Sequence, residues 1–599
     1  MSKNLLIYTR EPMHTDIYDA KLAYSMHLAI DCGDGYKALN HNSGVFFAKV
    51  THNPDGTMNA KSLKAPFAFK LQDGKYGVVA VRTNADGSPD EQSCGCVLAA
   101  VTSDFLHYDE LGLIKLCDTY VEKVAVKFCE KGQAYKICYM TEGVHKAAKC
   151  ADFYSLSCMP VNVCDNDPNC QLKKPELEGL DIEGAHSSCE IEIPDDIAEK
   201  LINKLTTPKN IAIDFPAEVT ASSADELSNI KAVARYTDGS TDEKRVDWDL
   251  SAVDFSKPGR YEIKGSVHQD HFAFPVATDR ADPCIGKWNG KYYFIATNDA
   301  DGNRTLNIRC ADSIPELVNA EEVCILDTNT YEDIRGLLWA PEFHIINDRL
   351  YIFHAATTGE FFWEESHLMV LREGGDPMNK DDWSRTKRIT KKDGSELCEA
   401  GKVISLDMTT FRWEGKDYVA WSQRQFVPVD QGAWLLFARL DTNDPWKLAS
   451  DPIVLSKPDY GWANNHTFVD EGPFALLTDD KVWLSFSSAA VDSTYVVSFI
   501  TLEKGKDPLV AENWVKSNYP SFTSRSVEGE FGTGHNAYVI DDDGKVWNTY
   551  HARPGVYGPR SSGIRRVHFD VYGEPVLDVT EELDVNPELK EIKTVLTVK

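Results

Sequence analysis

Short hydrophobic runs separated by polar turns recur along the second half of the chain. The runs are rich in aromatic and β-branched residues, which favour strands over helices. Each run follows a turn that contains Asn, Asp or Gly, and this combination predicts a β-hairpin. The five predicted hairpins contain the runs at residues 291–296, 349–354, 417–422, 481–486 and 545–550.

A short polar motif precedes each predicted hairpin at a nearly constant spacing. The motifs are Ala281-Asp282-Pro283, Trp339-Ala340-Pro341-Glu342, Ser405-Leu406-Asp407-Met408, Asp470-Glu471-Gly472-Pro473 and Thr533-Gly534-His535-Asn536. Steps from the first Asp to the Glu, Asp, Glu and His that follow are 60, 65, 64 and 64 residues. A fixed period of this size indicates repeated supersecondary units. We therefore predict a five-bladed β-propeller over residues 276–590, with these polar side chains at equivalent points around one axis.

The N-terminal region, residues 1–190, is also rich in predicted strands. Residues 65–69, 73–80 and 84–87 follow the order of the first repeated motif and its hairpin, but Ala65 replaces the aspartate. A copy without its carboxylate cannot perform the same chemistry. We therefore predict that this region is propeller-like, degenerate and non-catalytic, and acts as a support or as a wall beside the pocket.

A smaller module lies between these two regions, at residues 206–275. Its short alternating strands, one tryptophan and turns every 8–12 residues predict a small β-sandwich. It resembles the bacterial immunoglobulin-like modules, with a Tyr-x-Asp-Gly-Ser turn at Tyr236 and a Pro-Gly-x-Tyr strand at Pro258. Residues 197–202 have helical spacing and predict a short helix before it. The predicted fold class is all-β throughout.

Charge and cysteine content narrow the partners and the compartment. The net charge of −30 disfavours nucleic acid and anionic membranes as partners. Fifteen cysteines, an odd number, favour free thiols in a reducing compartment over a disulfide framework. The N-terminal segment lacks the apolar stretch of a signal peptide. These features predict a cytoplasmic protein.

Several acidic side chains on one axis suggest hydrolysis of a glycosidic bond. Inverting hydrolysis needs one carboxylate to activate water and one carboxylic acid to protonate the leaving oxygen. The two groups stand roughly 6.5–9.5 Å apart so that a water molecule fits between them. A third carboxylate near the acid helps, because a like charge raises the pKa of that acid.

The five ordered motifs resemble those of glycoside hydrolase family 43, whose propeller enzymes remove arabinose or xylose from plant polysaccharides. The resemblance implies that Asp282 is the general base, Glu471 the general acid and Asp407 the carboxylate that orients the acid and tunes its pKa. It also implies that His535 lies near the axis and contacts substrate or, through water, a structural Ca²⁺. A metal-free, water-filled axis is the alternative, and no cofactor is required for the reaction.

Other interpretations of the three acidic positions come from their local sequence. Asp282 before Pro283 is also typical of a turn. Asp407 is followed by Met-Thr, where many relatives have Pro-Ser. Asp470 is the neighbouring rival of Glu471, whose longer side chain and following Gly-Pro fit the family pattern better.

Candidate sugar-binding residues are aromatic rings and charged donors near the motifs. Trp339 is the best stacking candidate, with a role in the core as the alternative, and Glu342 is assigned to pocket support and not to proton transfer. Surface ion pairs are the alternative for the arginines. The remaining candidates are Phe362 and Trp363 in a loop flanked by glycine, and Arg424, Arg553 and Arg565.

The sequence thus predicts an inverting, exo-acting glycoside hydrolase that releases terminal α-L-arabinofuranose from plant-derived arabino-oligosaccharides. A cytoplasmic location would favour short imported oligosaccharides as substrates. The alternatives within the family are a β-D-xylosidase and an arabinan- or galactan-directed hydrolase. A non-catalytic carbohydrate-binding propeller is the alternative from another class. Sequence leaves the oligomeric state open.

Overall fold

The computed structural model describes residues 2–161, 180–329 and 334–599, and most of its regular structure is β-strand. The all-β prediction is confirmed for these ranges. The helix predicted at residues 197–202 is present as Asp195–Leu205, with Ala198, Leu201 and Leu205 buried. No helix in the described ranges is long and apolar enough to cross a membrane. The other α-helices are Ala20–Ala23, Ala224–Ser228, Ile314–Leu317 and Glu581–Asp584.

The second half of the chain forms five consecutive antiparallel sheets, here called repeat sheets one to five. Repeat sheet one contains Arg280–Trp288, Lys291–Asn298, Thr305–Ala311 and Val323–Asp327, and sheet two Gly336–Ile346, Arg349–Thr357, Glu364–Val370 and Lys387–Arg388. Sheet three contains Val403–Trp413, Lys416–Gln425, Ala433–Arg439 and Ile453–Ser456. Sheet four contains Asp470–Leu477, Lys481–Ser488, Val496–Glu503 and Trp514–Lys516, and sheet five Glu530–Ile540, Val546–Pro554 and Ser561–Arg566. The five predicted hairpins are therefore confirmed.

The five repeat sheets contact one another in a ring. The first strand of each sheet contacts the first strand of the next, and the first strand of sheet five contacts that of sheet one. Hydrophobic cores fill the spaces between neighbouring sheets. Ile295 and Ile352 belong to the core of sheets one and two, and Phe353 and Trp421 to that of sheets two and three. The first strands, which carry the polar motifs, thus lie closest together.

The N-terminal region forms three four-stranded sheets and a small hairpin. Part of it shares a core with the second half of the chain: Tyr18 and Leu22 pack with Trp462 and Phe486. The sheets contain Ala185–Pro194, Ser2–Arg10, His27–Asp31 and Tyr36–Ala38; Lys61–Lys70, Tyr76–Asn84, Cys96–Thr102 and Asp109–Lys115; and Lys123–Cys129, Ala134–Thr141, Val144–Cys150 and Met159–Val161. The hairpin pairs Thr51–His52 with Met58–Asn59. Burial of aromatic side chains therefore joins this region to the repeat sheets.

The middle module has two small sheets, and the C-terminus of the chain completes one of them. Glu591–Val598 lies between Glu218–Thr220 and Gly259–Val267, parallel to the former and antiparallel to the latter. Sequence patterns did not predict that the chain returns to the middle module after the repeat sheets. The remaining strands are Val246–Asp249 in the same sheet, Asn210–Asp214, Ala232–Tyr236 and Thr241–Lys244 in the second sheet, and the separate pair His568–Phe569 and Pro575–Val576.

Candidate active site

A two-residue bulge interrupts the first strand of every repeat sheet at its polar motif. The first residue of each bulge has the left-handed conformation, which is uncommon for residues other than glycine. Such bulges redirect side chains, and strained backbone of this kind clusters at functional sites. The five residues and their φ values are Asp282 (51°), Ala340 (46°), Asp407 (55°), Gly472 (55°) and His535 (54°).

The register of the bulges corrects one prediction from the motif spacing. Asp282, Asp407 and His535 occupy equivalent positions, but Glu471 precedes its bulge residue by one position. Glu342 follows its bulge residue by two. Motif spacing counts residues along the chain, whereas the bulge decides which side chain turns toward the neighbouring sheets. The polar residues therefore reach the site from different register positions.

Backbone N–H groups of the bulges bind side chains of the preceding sheet. Ala340 donates to Oγ1 of Thr297 at 2.8 Å, and Gly472 donates to Oδ2 of Asp407 at 3.0 Å. His535 donates to Oγ of Ser487 at 2.7 Å. These hydrogen bonds fix the first strands relative to each other, and so fix the separations between the polar side chains.

The N-terminal region contains the same bulge, in strand Lys61–Lys70. Ala65 has a φ of 48° and lies at the point where the pairing register shifts. The backbone feature that presents Asp282 is thus present there, but the side chain carries no functional group.

Asp282 is 6% exposed and both of its carboxylate oxygens have partners. Oδ2 accepts a hydrogen bond from Thr297 at 2.7 Å, and Nδ1 of His551 lies 3.0 Å from Oδ1. His535 and Arg560 also approach Oδ1, at 3.3 and 3.5 Å. Burial alone would raise the pKa of Asp282. The positive charges of His535 and Arg560 outweigh burial and hold this pKa well below its usual range.

Glu471 lies in the same site but in a less positive environment. The hydroxyl of Tyr495 donates a hydrogen bond to its Oε1 at 2.7 Å. Burial raises the pKa of Glu471, and the negative charge of Asp282 acts in the same direction. Tyr495 and His535 lower that pKa without cancelling the rise. A raised pKa favours the protonated form of the carboxyl, which general acid catalysis requires.

Asp407 joins these two acids from repeat sheet three. It is 3% exposed, and its Oδ2 accepts the hydrogen bond from the backbone of Gly472, the neighbour of Glu471. Burial raises the pKa of Asp407 well above its usual range. The opposing charge of His535 is weaker than burial, and the charges of Glu471 and Asp282 add to the rise. The negative charges of Asp407 and Glu471 interact, so the titrations of these two carboxyls are linked.

Asp470, the rival of Glu471 in the sequence, has a structural environment. It is fully buried, its Oδ1 accepts a hydrogen bond from Ser488, and its Oδ2 accepts one from Ser456. Lys516 forms an ion pair with it at 2.9 Å. Its carboxylate is thus committed to the core of repeat sheet four.

His535 and Glu342 occupy neighbouring parts of the site. Burial lowers the pKa of His535, but the charges of Asp282 and Asp407 outweigh burial and raise it. Its Nε2 has no hydrogen-bond partner among the described residues. Glu342 is 3% exposed, and its Oε2 lies 2.7 Å from Nε2 of His344.

Whether a cation fits beside His535 depends on the side chains that could bind it. The described ranges contain no group of three or more His, Cys, Asp or Glu side chains placed to hold a metal ion. Ca²⁺ requires six to eight oxygen ligands. The protein side chains thus do not form a cation cage here, and a cation would depend on water for most of its ligands.

The predicted aromatic residues lie near one another at one side of repeat sheet two, with Phe362 and Trp363 exposed in the short helical turn Phe361–Trp363 and Trp339 half-buried beside Phe361. The ring of Trp339 lies 6.1 Å from that of Phe361, which packs against Phe362 and Phe426. Phe362 and Trp363 are 43% and 47% exposed. Exposed aromatic faces beside Trp339 are suited to sugar stacking.

The three predicted arginines are engaged elsewhere. Arg424 forms a bidentate pair with Asp430, and Arg565 pairs with Glu530 in a buried position. Arg553 donates to the backbone carbonyls of Gly558 and Val491 at 2.6 and 2.8 Å. None of these contacts reaches the three acids.

Sequence reasoning missed three residues of the site. Arg560 reaches Asp282, Tyr495 binds Glu471, and His551 binds Asp282. Arg560 lies in a Gly-Pro-Arg-Ser turn just before the last strand of repeat sheet five, and Tyr495 directly precedes the third strand of sheet four. None belongs to a repeated motif, so spacing carried no signal for them.

Comparisons with known proteins found relatives for most of the second half of the chain. The profile of glycosyl hydrolases family 43 matches residues 272–574, and that of the bacterial Ig-like domain (group 4) matches residues 230–270. An extracellular exo-α-(1→5)-L-arabinofuranosidase of Streptomyces chartreusis is 31% identical over 281 residues, which are 47% of this chain and 81% of that protein. A protein of the same name from Streptomyces avermitilis is 30% identical over 46% of this chain and 54% of its own length.

Among solved structures, an α-L-arabinofuranosidase from Lactobacillus brevis is 27% identical, with a TM-score of 0.45. The match covers 50% of this chain and 94% of that protein.

The predicted cytoplasmic location is wrong. Both Streptomyces relatives are named extracellular enzymes. The thirteen described cysteines are free, but only Cys32 and Cys324 among them are exposed. Five of the thirteen are buried, and buried thiols are inert in either compartment, so the number of cysteines does not by itself report the redox environment.

The sequence match, the five repeat sheets and the cluster of acids at their bulges agree. This chain belongs to glycosyl hydrolases family 43.

Proposed function

We propose that this protein is an inverting, exo-acting α-L-arabinofuranosidase that releases terminal arabinose from arabino-oligosaccharides. The names of both Streptomyces relatives support the sugar and the exo-action. The environments of the three acids support the mechanism.

In this proposal the five repeat sheets are the blades of a closed five-bladed propeller. The ring of contacts between their first strands supports closure. The N-terminal region and the sandwich take no part in proton transfer. Ala65, at the N-terminal bulge, has no group that could transfer a proton.

Asp282 acts as the general base. Its low pKa keeps it ionised, so it can accept a proton from a water molecule that attacks the anomeric carbon. His551 and Thr297 hold the carboxylate in place. Arg560 and His535 balance its charge in the buried site.

Glu471 acts as the general acid and protonates the leaving oxygen. The carboxyl keeps its proton because burial and the nearby negative charge of Asp282 raise its pKa. Asp407 binds the backbone beside Glu471 and adds a further carboxyl to the linked titration. The proposal requires the carboxyls of Asp282 and Glu471 to stand roughly 6.5–9.5 Å apart.

One observation carries the proposal: the neighbours of two carboxyls in one site, the buried Asp282 and the half-buried Glu471, shift their pKa values in opposite directions, which favours an ionised Asp282 and a protonated Glu471. The positive groups gather on Asp282, whereas Glu471 receives a neutral tyrosine donor. A general base and a general acid need these two states at the same pH.

The first test combines the product's stereochemistry with two isosteric variants. Proton NMR of the hydrolysis of an α-L-arabinofuranoside should show the β-anomer of arabinose first. Asp282→Asn and Glu471→Gln should each lower kcat by roughly 10²–10⁴-fold, the range for loss of a general acid or base. Asp480→Asn, in a turn at the far end of repeat sheet four, is the control and should keep full activity.

Other outcomes would favour the other candidates. Release of xylose or galactose in preference to arabinose from a panel of aryl glycosides would contradict the sugar assignment but keep the mechanism. Binding of oligosaccharides without release of any sugar would contradict the enzyme and favour a carbohydrate-binding protein.

A further inference from the structure

Tyr495 is the direct hydrogen-bond partner of Glu471, and its ring is tightly confined. Its hydroxyl lies 2.7 Å from Oε1, and its ring stacks on His551 with centroids 5.4 Å apart and planes 2° apart. On the other side it lies against the backbone of Gly534, where an added Cβ would come within 2.2 Å of the ring. The ring has no room to turn, so the loop before it sets where the hydroxyl points.

That loop, residues 489–495, is here called the Tyr495 loop. Contacts from repeat sheets four and five hold several of its residues. Arg553 donates to the carbonyl of Val491 at 2.8 Å, and Ser524 donates to that of Ser493 at 2.5 Å. Gly532 passes so close to Asp492 that a Cβ there would lie 2.0 Å from its carbonyl oxygen.

The N-terminal region supplies two further contacts to the Tyr495 loop. The hydroxyl of Ser493 donates to the backbone carbonyl of Asp16. His466 bridges the two regions, with Nδ1 2.7 Å from Asp492 and Nε2 3.9 Å from Asp19. Both contacts come from the segment at residues 14–24, here called the N-terminal arm.

The N-terminal arm is itself anchored to the repeat sheets. Lys21 donates to the carbonyl of Asn464 at 2.6 Å. Tyr18 is 4% exposed, and the guanidinium of Arg525 lies 5.1 Å from its ring centroid. Tyr18 and Leu22 belong to the core that contains Trp462. Although Asp16 is exposed, the buried side chains of Tyr18 and Leu22 anchor the arm, so it can hold a loop that it touches.

We infer that Tyr495 is a positioning residue for Glu471, and that the N-terminal arm holds Tyr495 in place through Ser493 and His466. The inference rests on the proposed role of Glu471 as general acid. The Tyr495 hydroxyl occupies Oε1, which leaves Oε2 for the proton that goes to the leaving oxygen. The N-terminal region thereby contributes to acid catalysis without touching substrate.

The chemistry of the leaving group separates positioning of the acid from general damage to the site. A leaving group of low pKa, such as 2,4-dinitrophenolate, departs without protonation, whereas an alkoxide leaving group requires the acid. Loss of acid positioning therefore slows an alkyl arabinofuranoside or arabinobiose and spares a dinitrophenyl arabinofuranoside. Damage to the pocket slows both.

The central experiment compares Tyr495→Phe with the unmodified protein on these two substrates. We expect kcat on arabinobiose to fall roughly 10- to 100-fold, the range for leaving a hydrogen-bonding group without its partner in a site shielded from water. We expect kcat on the dinitrophenyl substrate to change less than about two-fold, because dinitrophenolate leaves without a proton from Glu471. Tyr261→Phe removes a similar hydroxyl contact in the sandwich and is the matched control.

The pH profile gives a second measurement. The titratable and charged groups that face Glu471 are Tyr495, His535, Asp282, Asp407 and Arg560. The Tyr495 hydrogen bond lowers the pKa of Glu471, so its removal should raise that pKa. Because the acid works protonated, the basic limb of kcat should move to higher pH in Tyr495→Phe.

Ser493→Ala tests the contribution of the N-terminal arm. We expect the same selective loss on arabinobiose, smaller than in Tyr495→Phe, because one of two arm contacts remains. Ser395→Ala, which removes a hydroxyl from an exposed turn between repeat sheets two and three, is the matched control.

Three results would overturn the inference. Equal losses on both substrates in Tyr495→Phe would show a merely structural tyrosine, and would leave the proposed function intact. An unchanged ratio of the two rates in Ser493→Ala would remove the arm from the inference. Absence of turnover by the unmodified protein would overturn the proposed function, and this inference with it.

Discussion

At the scale of single residues, acids of similar chemistry have different pKa values because different side chains surround them. Asp282 faces His535, His551 and Arg560, and the result is an ionised carboxylate in a buried position. Glu471 faces Tyr495, which is neutral, and keeps a raised pKa. The chemistry of each acid is therefore set by its neighbours, and of those named here only His535 belongs to a repeated motif.

Arg560 offers a direct test of the charge balance at Asp282. Arg560→Leu removes a positive charge 3.5 Å from Oδ1, so the pKa of Asp282 should rise. The base works ionised, and activity is lost as pH falls through its pKa. The acidic limb of kcat/KM should therefore move to higher pH, as measured by initial rates across a pH series.

The control for this prediction is Arg412→Leu, which removes an exposed arginine paired with Asp417 at the hairpin end of repeat sheet three. Its acidic limb should coincide with that of the unmodified protein. A limb that stays in place in Arg560→Leu would mean that this arginine does not set the protonation of Asp282.

At the scale of single elements, the bulge in each first strand is the feature that builds the site. It places Asp282, Asp407 and His535 in the left-handed conformation. Gly472 takes the same place in repeat sheet four, where the functional side chain is its neighbour Glu471. The left-handed backbone costs free energy for residues other than glycine, which the packing of neighbouring sheets must offset.

Gly472→Ala tests the bulge of repeat sheet four. Its φ of 55° makes alanine unfavourable by about 1–2 kcal/mol. An added Cβ would also lie 3.0 Å from Nδ1 of His535. We expect a lower melting temperature and a roughly ten- to hundred-fold fall in kcat/KM, because small displacements of catalytic groups are costly.

Gly415→Ala is the matched control, because its φ is 78° and nothing lies within 4 Å of an added Cβ. It should lose comparable stability and keep its activity. Equal activity in the two variants would mean that the bulge of sheet four does not position the site.

At the scale of the whole molecule, the three regions are joined by packing and by a returning strand. The C-terminal strand Glu591–Val598 crosses from the repeat sheets to the sandwich and pairs with Gly259–Val267 along most of its length. Leu596 of this strand is fully buried in the sandwich core. The sandwich therefore needs residues 591–598, which follow the repeat sheets in the sequence.

Leu596→Ala tests this dependence. A buried leucine reduced to alanine costs about 2–5 kcal/mol, which a small module can hardly tolerate. Hydrogen exchange followed by mass spectrometry should show faster exchange in Gly259–Val267, with the repeat sheets unchanged. Lys593→Ala, exposed on the same strand, should exchange like the unmodified protein.

Exchange in Leu596→Ala that matches the unmodified protein would contradict a structural role for the C-terminal strand. Faster exchange throughout the repeat sheets would instead indicate that the sandwich and the repeat sheets unfold together.

Local sequence patterns were enough to find the strands and the five repeats, and the motifs with their family resemblance made the three acids candidates. Hydrophobic alternation and turn residues are local properties, so Lys291–Asn298 and its four counterparts could be found without the fold. The motifs of Asp282, Asp407 and Glu471 lie on those strands, and their spacing marked them as related. The bulged Ala65 copy was visible for the same reason.

Only the tertiary structure decided which groups surround those acids. Arg560, His551 and Tyr495 come from loops and strands outside the motifs, and their contacts join neighbouring sheets. The contacts of Arg553 with backbone carbonyls also depend on packing between distant segments. The same holds for the pairing of the C-terminal strand. Local pattern fixes an element, but a side chain's partners and its pKa depend on what the fold brings beside it.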